Sequence, residues 1–179
     1  MHIRLARQDD GEAIAQLHAQ SWRSAYRGLF NDAFLDNEVV ANRQQVWRQR
    51  FASPKPNQQV LVAEESQYIV GFICAYGNEH PRWGTYIDNL HVAQAHKGIG
   101  IGRRLMAAIA RWSHQHYPDV GLYLQVLEAN LPARRFYEKL GAMNQESSVW
   151  EPPGGGSVVD LRYVWSRPEV LYTVPPDVE

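Results

Sequence analysis

The chain has 179 residues, of which 45% are hydrophobic and 21% charged, with a formal net charge of −1 at pH 7. This composition is typical of one soluble globular domain. It argues against a protein that coats nucleic acid, which needs a strongly basic surface, so no nucleic-acid partner is predicted.

Three further features of the composition narrow the class of protein. A single cysteine, Cys74, excludes an internal disulfide framework, and its apolar neighbours predict a buried, unreactive thiol. No segment approaches the ~20 consecutive apolar residues of a membrane helix. The first twelve residues contain no apolar signal region. We therefore predict a cytoplasmic protein with no membrane partner.

The first third of the chain predicts one strand followed by two helices. Residues 2–6 alternate in polarity as a strand does, and Asp9 or Asp10 can cap the helix that follows. A second helix is predicted over about residues 38–51, and the sequence S-P-K-P at 53–56 ends it. Three arginines of this helix are predicted to be exposed: Arg43, Arg48 and Arg50.

In the middle of the chain the hydrophobic period changes to two. Residues 60–65 and 68–77 flank the short link Ser66-Gln67, which predicts a β-hairpin. Residues 85–92 form another predicted strand. A glycine-rich turn follows, and then a helix to about residue 116.

The last third predicts a strand over residues 121–128, a helix over 130–141 and two more strands. Asn130 is the predicted N-cap of that helix and Gly141 its C-terminal stop. The resulting order is β-α-α-β-β-β-α-β-α-β-β, which indicates one α/β domain with a mixed sheet. The domain is predicted to span residues 1–166, and residues 167–179 form a C-terminal tail without a clear period.

The glycine-rich turn is the first candidate for a functional site. Lys97-Gly98-Ile99-Gly100-Ile101-Gly102 connects a strand to a helix, and two arginines begin that helix. The free N–H groups and the dipole at a helix start attract anions, and glycines let a phosphate approach the backbone. Basic residues usually oppose the dipole there, so their presence favours a bound anion. A turn that only packs a helix on a sheet is the alternative.

Two common phosphate motifs fit this turn poorly. A P-loop carries its lysine after the glycines, followed by Ser or Thr, whereas Lys97 precedes the glycines here. A dinucleotide-binding turn has the spacing G-x-G-x-x-G near the first strand of its fold. This turn has the spacing G-x-G-x-G and comes after several predicted strands.

Residues 60–142 resemble the GCN5-related N-acetyltransferase (GNAT) family. The family's acetyl-CoA loop reads Q/R-x-x-G-x-G/A, and the turn at 97–102 matches it with Lys97 in the first place. The later family pattern N-x-x-A-x-x-x-Y-x-x-x-G is met by Asn130, Ala133, Tyr137 and Gly141. Ala142 stands where the family usually has an aromatic residue. The N-terminal region, with its "SW…AYRG" sequence, is similar to a bacterial branch of the family.

The resemblance implies the GNAT fold, in which about four helices flank a mixed, mostly antiparallel sheet of about seven strands. It implies acetyl-CoA as co-substrate and no metal. Backbone N–H groups of 97–103 would hold the pyrophosphate, and the strand at 90–92 would bind the pantetheine arm. The implied cofactor-binding residues are Leu90, His91, Val92, Lys97, Gly98, Ile99, Gly100, Ile101, Gly102, Arg103, Asn130 and Tyr137.

Attack of an amine on a thioester needs a neutral amine, a stabilised oxyanion and a protonated leaving thiolate. A phenol with a pKa of ~10 is protonated at neutral pH and can donate to a thiolate whose thiol has a pKa of ~8.5. The resemblance places Tyr137 near the sulfur, so we predict it as the catalytic acid. Packing of this aromatic residue on the sheet is the alternative.

The base is harder to assign, because Tyr86 occupies the position where some relatives carry a glutamate. Asp88, two residues further on, faces the same side by strand alternation and is the predicted base. Glu79 in the preceding loop is a second candidate. For both, the alternative is a solvated or structural carboxylate.

The resemblance implies that the region of Trp22 and Tyr26 forms part of the acceptor wall. Trp22 and Tyr26 are four residues apart and share a helix face, and Trp83, in a loop beside the predicted active-site strand, is also predicted to contact the acceptor. Core packing is the alternative for the first two. The seven histidines show no metal-ligand spacing.

The sequence therefore predicts an N-acetyltransferase that acetylates a small-molecule or peptide amine by direct attack in a ternary complex. A non-catalytic CoA-binding or partner-binding module is the first alternative, and a dinucleotide-binding oxidoreductase the second. A homodimer is compatible with the tail.

Overall fold

One seven-stranded sheet organises the fold, in a computed structural model that describes residues 1–173. The strands are β1 (His2–Leu5), β2 (Gln58–Glu65), β3 (Tyr68–His80), β4 (Gly84–Val92), β5 (Leu122–Leu127), β6 (Met143–Trp150) and β7 (Val158–Trp165). They pair in the order β1-β2-β3-β4-β5-β7-β6, and β4–β5 is the one parallel pair among these strands. The predicted mixed, mostly antiparallel sheet is confirmed.

The helices within residues 1–173 are α1 (Gly11–Ala25), α2 (Asp32–Asn37), α3 (Val39–Ala52), α4 (Ile101–His116), α5 (Leu131–Lys139) and α6 (Val170–Thr173). Four of them were predicted, and the two short helices α2 and α6 were not. The start of α2 carries a cap signal, because the Asn31 side chain accepts hydrogen bonds from the N–H groups of Ala33 and Phe34. In contrast, Asp10 binds Arg4 and the Arg7 N–H instead of capping α1.

The helices cover both faces of the sheet. Strand alternation in β3 turns Ile73 toward the face covered by α4 and α5, and turns Phe72 and Cys74 toward the face covered by α1 and α3. Cys74 is fully buried, and burial raises the pKa of its thiol to about 12. This agrees with the predicted unreactive cysteine.

The described part of the predicted tail packs against α4. Leu171 in α6 is buried in the core, and the Arg111 guanidinium of α4 lies 5.3 Å from the centre of the Tyr172 ring. The other residues of the tail, 174–179, lie outside the described residues.

The hairpin between β2 and β3 turns at Ser66 and Gln67, as predicted. Both have positive φ angles, 48° and 70°, which is the backbone of the tight two-residue turn that matches the twist of paired strands.

Strands β4 and β5 pair only at their beginnings. The parallel register joins Thr85–Ile87 to Leu122–Leu124 and goes no further. In the register of β4 with β3, Asn89 lies opposite Cys74 and Ile87 opposite Ala75, so Asp88 is an extra residue, a β-bulge. Beyond the bulge, β4 stays with β3 while β5 stays with β7. The sheet therefore has a gap between its two central strands.

The close approach of Gly77 to Tyr117 gives a stability prediction. A Cβ atom at position 77 would lie 1.9 Å from Cε2 of Tyr117, so Gly77→Ala should lower the free energy of unfolding by about 1–3 kcal/mol through overpacking. Urea denaturation measures this change. If the Tyr117 ring causes the overpacking, Gly77→Ala should lower the free energy of unfolding much less in a Tyr117→Ala background. Equal losses in both backgrounds would contradict overpacking against Tyr117.

Candidate active site

A cavity of about 850 Å³ occupies the gap between β4 and β5, and residues from both faces of the sheet line it. Most of the residues predicted for the site line this cavity. They are Trp22, Tyr26, Asp88, Leu90, His91, Val92, Lys97, Gly98, Gly100, Ile101, Gly102, Arg103, Asn130 and Tyr137. Two predicted residues lie outside the lining, Ile99 and Trp83.

The structure shows why Ile99 and Trp83 lie outside the lining. Ile99 projects from the glycine turn and is 66% exposed. Trp83 precedes β4 and packs with Tyr123 and Val164 at the far end of the strand from the turn. Its ring lies under the Arg82 guanidinium at 4.1 Å. Trp83 thus belongs to a separate aromatic cluster.

The glycine turn leaves the N-terminus of α4 open toward the cavity. Gly98 and Gly100 have φ angles of +83° and +85°, which L-residues with side chains rarely adopt. Gly100 is the N-cap residue, so no side chain caps the first N–H groups of α4. These groups and the helix dipole have the geometry that favours an anion, and the anion site itself stays a prediction. Gly102 serves packing, since a Cβ there would lie 3.2 Å from the Phe136 ring of α5.

The second half of β4 presents backbone groups to the gap. The Ala93 N–H donates to the Val70 carbonyl at 2.8 Å, and antiparallel pairs alternate between bonded and non-bonded positions. The N–H and C=O groups of Leu90 and Val92 therefore point away from β3, toward the side where β5 has separated. A chain with amide groups can pair with this strand edge.

Helix α5 brings Asn130 and Tyr137 to the cavity. The Asn130 side chain accepts a hydrogen bond from the Ala133 N–H, so the predicted N-cap is confirmed. Tyr137 is 8% exposed and packs edge-on against Trp165. Within residues 1–173 no group hydrogen-bonds to its hydroxyl, which leaves this group available to a ligand. Burial raises the pKa of Tyr137, with a smaller effect from Tyr26, so its phenol stays protonated at neutral pH.

Trp22 and Tyr26 lie in the aromatic cluster at the end of α1. Their rings are 5.7 Å apart, and Phe30 and Trp150 complete the cluster. Burial raises the pKa of Tyr26 to about 12. Trp150 also lines the cavity and was not predicted as a site residue. The cluster thus serves as core on one side and as cavity wall on the other.

Of the two carboxylates considered as bases, only Asp88 lines the cavity. Its Oδ2 forms an ion pair with Arg50 Nη2 at 2.5 Å, and Arg50 also donates to Asn89 at 2.6 Å. Glu79 instead binds Lys55 and Asn57, outside the lining residues.

The prediction that Arg43 and Arg50 are exposed was wrong. Arg43 is only 8% exposed, and its guanidinium lies 4.1 Å from the centre of the Trp22 ring. Both arginines line the cavity. The sequence did contain a signal, because Arg43 stands midway between Val39 and Trp47 at spacings of four, and both of these are fully buried.

Sequence reasoning also missed Asp160. This residue of β7 is 6% exposed, lines the cavity and accepts a hydrogen bond from the Ser148 hydroxyl at 2.5 Å. It faces the gap only because β7 lies beside β5 in the sheet, a pairing that the local sequence does not reveal.

Two histidines are buried without charge beside the cavity. The His18 and His91 rings lie 4.5 Å apart, and Trp47 Nε1 donates to His18 Nδ1 at 3.1 Å. Burial, with nearby cations, lowers the pKa of both, that of His91 to about 3. Neither imidazole holds a proton at neutral pH.

Residues 1–173 contain neither a membrane-spanning helix nor a cluster of metal ligands. None of their helices has the length and apolar character needed to cross a bilayer. Nor do their His, Cys, Asp and Glu side chains form a group of three that could hold a metal ion.

Residues 13–142 match the model of the acetyltransferase (GNAT) family. The chain belongs to this family. Membership confirms the predicted family, the predicted fold and the predicted enzyme class, an acyltransferase of the GNAT type. It rules out the alternative of a dinucleotide-binding oxidoreductase.

Known GNAT proteins match the chain over nearly its whole length. A probable N-acetyltransferase of Mycobacterium tuberculosis is 27% identical over 169 residues, which cover 91% of this chain and 92% of the relative. The PaiA N-acetyltransferase of Thermoplasma acidophilum, solved with coenzyme A, has a TM-score of 0.74 at 16% identity and covers 92% of this chain and 98% of its own. A putative acetyltransferase of Salmonella typhimurium, solved with acetyl-CoA, has a TM-score of 0.66 at 19% identity over 100% and 99% of the two chains. These two structures share the fold.

The buried histidines give a prediction for the pH dependence of stability. Burial places the folded-state pKa of both histidines below the unfolded value of ~6.5, so the unfolded chain binds more protons below that pH, in the case of His91 down to about pH 3. The free energy of unfolding should therefore fall with decreasing pH, by up to ~1.4 kcal/mol per pH unit for each histidine. Urea titrations from pH 7 to 4.5 measure this slope.

The matched variants are His91→Asn and His2→Asn. The first removes one buried imidazole and should reduce the slope by up to ~1.4 kcal/mol per pH unit. The second removes an exposed histidine and should leave it nearly unchanged. An unaltered slope in His91→Asn would contradict the assignment of an uncharged His91.

Proposed function

We propose that this protein transfers the acetyl group of acetyl-CoA to a primary amine, by direct attack in a ternary complex. The observation that carries the proposal is a single cavity. It joins the open N-terminus of α4, the unpaired edge of β4, the Tyr137 hydroxyl and the aromatic wall at the end of α1. A donor thioester on one side of the sheet and an amine on the other can meet in the gap.

The donor side has the groups that coenzyme A needs. The backbone N–H groups of the turn and of the start of α4, residues 98–102, suit the pyrophosphate, with Lys97 beside them as a cation. The backbone of Leu90 and Val92 suits the amides of the pantetheine arm. Asn130 and Tyr137 then flank the thioester end. Two structures of the same fold that were solved with coenzyme A or acetyl-CoA support coenzyme A as the ligand of this cavity.

In the proposed reaction the amine nitrogen forms a bond to the thioester carbonyl carbon, and the carbon–sulfur bond breaks. A backbone N–H of the strand at 90–92 stabilises the negative charge on the carbonyl oxygen, an effect worth ~3 kcal/mol in other acyl transfers. The Tyr137 hydroxyl donates its proton to the departing sulfur. Asp88, held by Arg50, accepts the proton that the amine loses, directly or through water.

Removal of the Tyr137 hydroxyl tests the acid. Tyr137→Phe should lower kcat roughly 100-fold or more, since general acid catalysis contributes 10²–10⁴-fold, while the Kd for acetyl-CoA stays within about threefold. Thiol release measures the rate and calorimetry the binding. Tyr172→Phe, a tyrosine of α6 outside the cavity lining, is the matched control and should keep full activity.

Two results would contradict this role for Tyr137. Full activity in the variant would assign the residue to packing alone. A wild-type protein that binds acetyl-CoA yet acetylates no amine in a broad panel would instead support the non-catalytic binding module.

The glycine turn gives a separate binding prediction. Gly100→Ala puts a side chain on a residue with φ of +85°, so the turn should shift and its N–H groups should lose their alignment. The affinity for coenzyme A should fall about tenfold or more, the equivalent of ~1.4 kcal/mol. Gly28→Ala introduces the same backbone strain at φ +74° outside the cavity lining, and its affinity should match the wild type. Equal affinities in all three proteins would refute the turn as the pyrophosphate site.

A further inference from the structure

Arg43 is a buried cation without a protein counter-ion in its cavity. Its Nε and Nη2 both donate to the side chain of the neighbouring Asn42, and its face stacks on Trp22. Over residues 1–173, no carboxylate comes within the 4 Å of an ion pair with it. Burial lowers its pKa to about 10, and the positive charge of Arg50 adds to this. At neutral pH the guanidinium nevertheless carries its charge.

A buried charge of this kind is unfavourable unless a partner compensates it. The Asp88 carboxylate offsets this charge only in part, because it is already paired with Arg50, and Asn42 is uncharged. Stacking on a tryptophan ring compensates only a part of the lost hydration. Since Arg43 lines the cavity, an anion in the cavity can supply the missing compensation.

The position of Arg43 excludes the pyrophosphate as that anion. Arg43 belongs to α3 and stacks on Trp22 of α1, two helices that cover one face of the sheet. The glycine turn precedes α4, which covers the opposite face and has Lys97 beside its own anion site. Arg43 therefore lies on the side of the cavity assigned to the acceptor.

The same side of the cavity also has an uncompensated anion. Asp160 is 6% exposed, and its carboxylate accepts a hydrogen bond from the neutral Ser148 hydroxyl. In the described part of the chain no Lys, Arg or His side chain forms an ion pair with it. The acceptor wall thus offers one buried cation and one buried anion, which together match a molecule that carries both charges.

We propose that the acceptor is a small amino acid-like molecule whose carboxylate forms an ion pair with Arg43 and whose amine lies toward Asp160. Its aliphatic or aromatic part contacts Trp22, Tyr26 and Trp150. The proposal deepens the proposed function and rests on it, since it names the acceptor class of the same acetyl transfer.

The test compares acceptors that differ only in the carboxylate. Purified protein and acetyl-CoA are assayed for thiol release with free amino acids and with the primary amides of the same amino acids, and with lysine against cadaverine. The free acids should have a kcat/KM at least tenfold above that of their amides. Arg43→Met should lower kcat/KM for the acids roughly 100-fold, as expected for the loss of one partner of a buried charge pair, and should change the amides less than threefold.

Two control variants separate charge from general disturbance. Arg48→Met removes an arginine from the exposed side of the same helix, where it donates to the Gln44 carbonyl outside the cavity lining, and should leave the rates with both acceptor classes unchanged. Arg43→Lys should recover part of the activity with the acids. The melting temperature of Arg43→Met should equal or exceed that of the wild type, since removal of an uncompensated buried charge favours folding.

The outcomes are distinguishable. If amides or polyamines are better acceptors than the free acids and Arg43→Met leaves this order unchanged, the carboxylate proposal is overturned while the acetyl transfer stands. A strongly lowered melting temperature in Arg43→Met, with no selective loss for acids, assigns Arg43 to structure and also overturns it. If no amine is acetylated, the proposed function fails. In that case, the thermal shift of the coenzyme A complex is measured with N-acetyl amino acids. These should raise the melting temperature of the wild type and not that of Arg43→Met. If they raise neither, or both equally, the proposal is overturned.

Discussion

The separation of β4 from β5 is the constraint on which the site depends. Two neighbouring parallel strands normally satisfy each other's backbone groups along their length. Here they pair over three residues and then diverge, because the bulge at Asp88 keeps β4 with β3 while β5 follows β7. The separation leaves backbone N–H and C=O groups of β4 without a strand partner and opens the middle of the sheet to ligands from both faces. A continuous sheet would bury these groups and close the cavity.

Much of this arrangement could be predicted from the sequence, because it depends on short-range signals. The turn at 97–102 and the Asn130, Tyr137 and Gly141 spacing lie within single strand–turn–helix units, where the residue order fixes the geometry. The acceptor wall combines α1, α3, β4, β6 and β7, which are distant in the chain. The prediction of an exposed Arg43 was wrong because it followed the rule that charged residues are usually exposed. The spacing of Arg43 from the apolar residues of the same helix indicated burial instead. The position of Asp160 at the cavity depends on the strand order of the sheet. The position of Trp83 away from the cavity depends on which end of β4 faces it.

The electrostatics of the cavity differ between its two sides. The donor side presents N–H groups and Lys97, which suits a highly charged pyrophosphate. The acceptor side holds buried side chains of both signs, and Arg50 and Asp88 neutralise each other there. The two buried histidines beside it stay uncharged, so they add no further cation near Arg43. A site of this kind selects ligands by matching charges, since a mismatched buried charge is strongly unfavourable.

The contact between Gly102 and Phe136 ties the two halves of the donor side into one unit. Helices α4 and α5 touch where a Cβ atom would lie only 3.2 Å from the ring, so the open helix end and Tyr137 hold a fixed mutual position. This unit is encoded by residues 84–142, whereas the acceptor wall is encoded mainly before residue 51 and after residue 147. Under the proposed function, substitutions in those outer segments can therefore change the accepted amine without altering the residues proposed to hold acetyl-CoA.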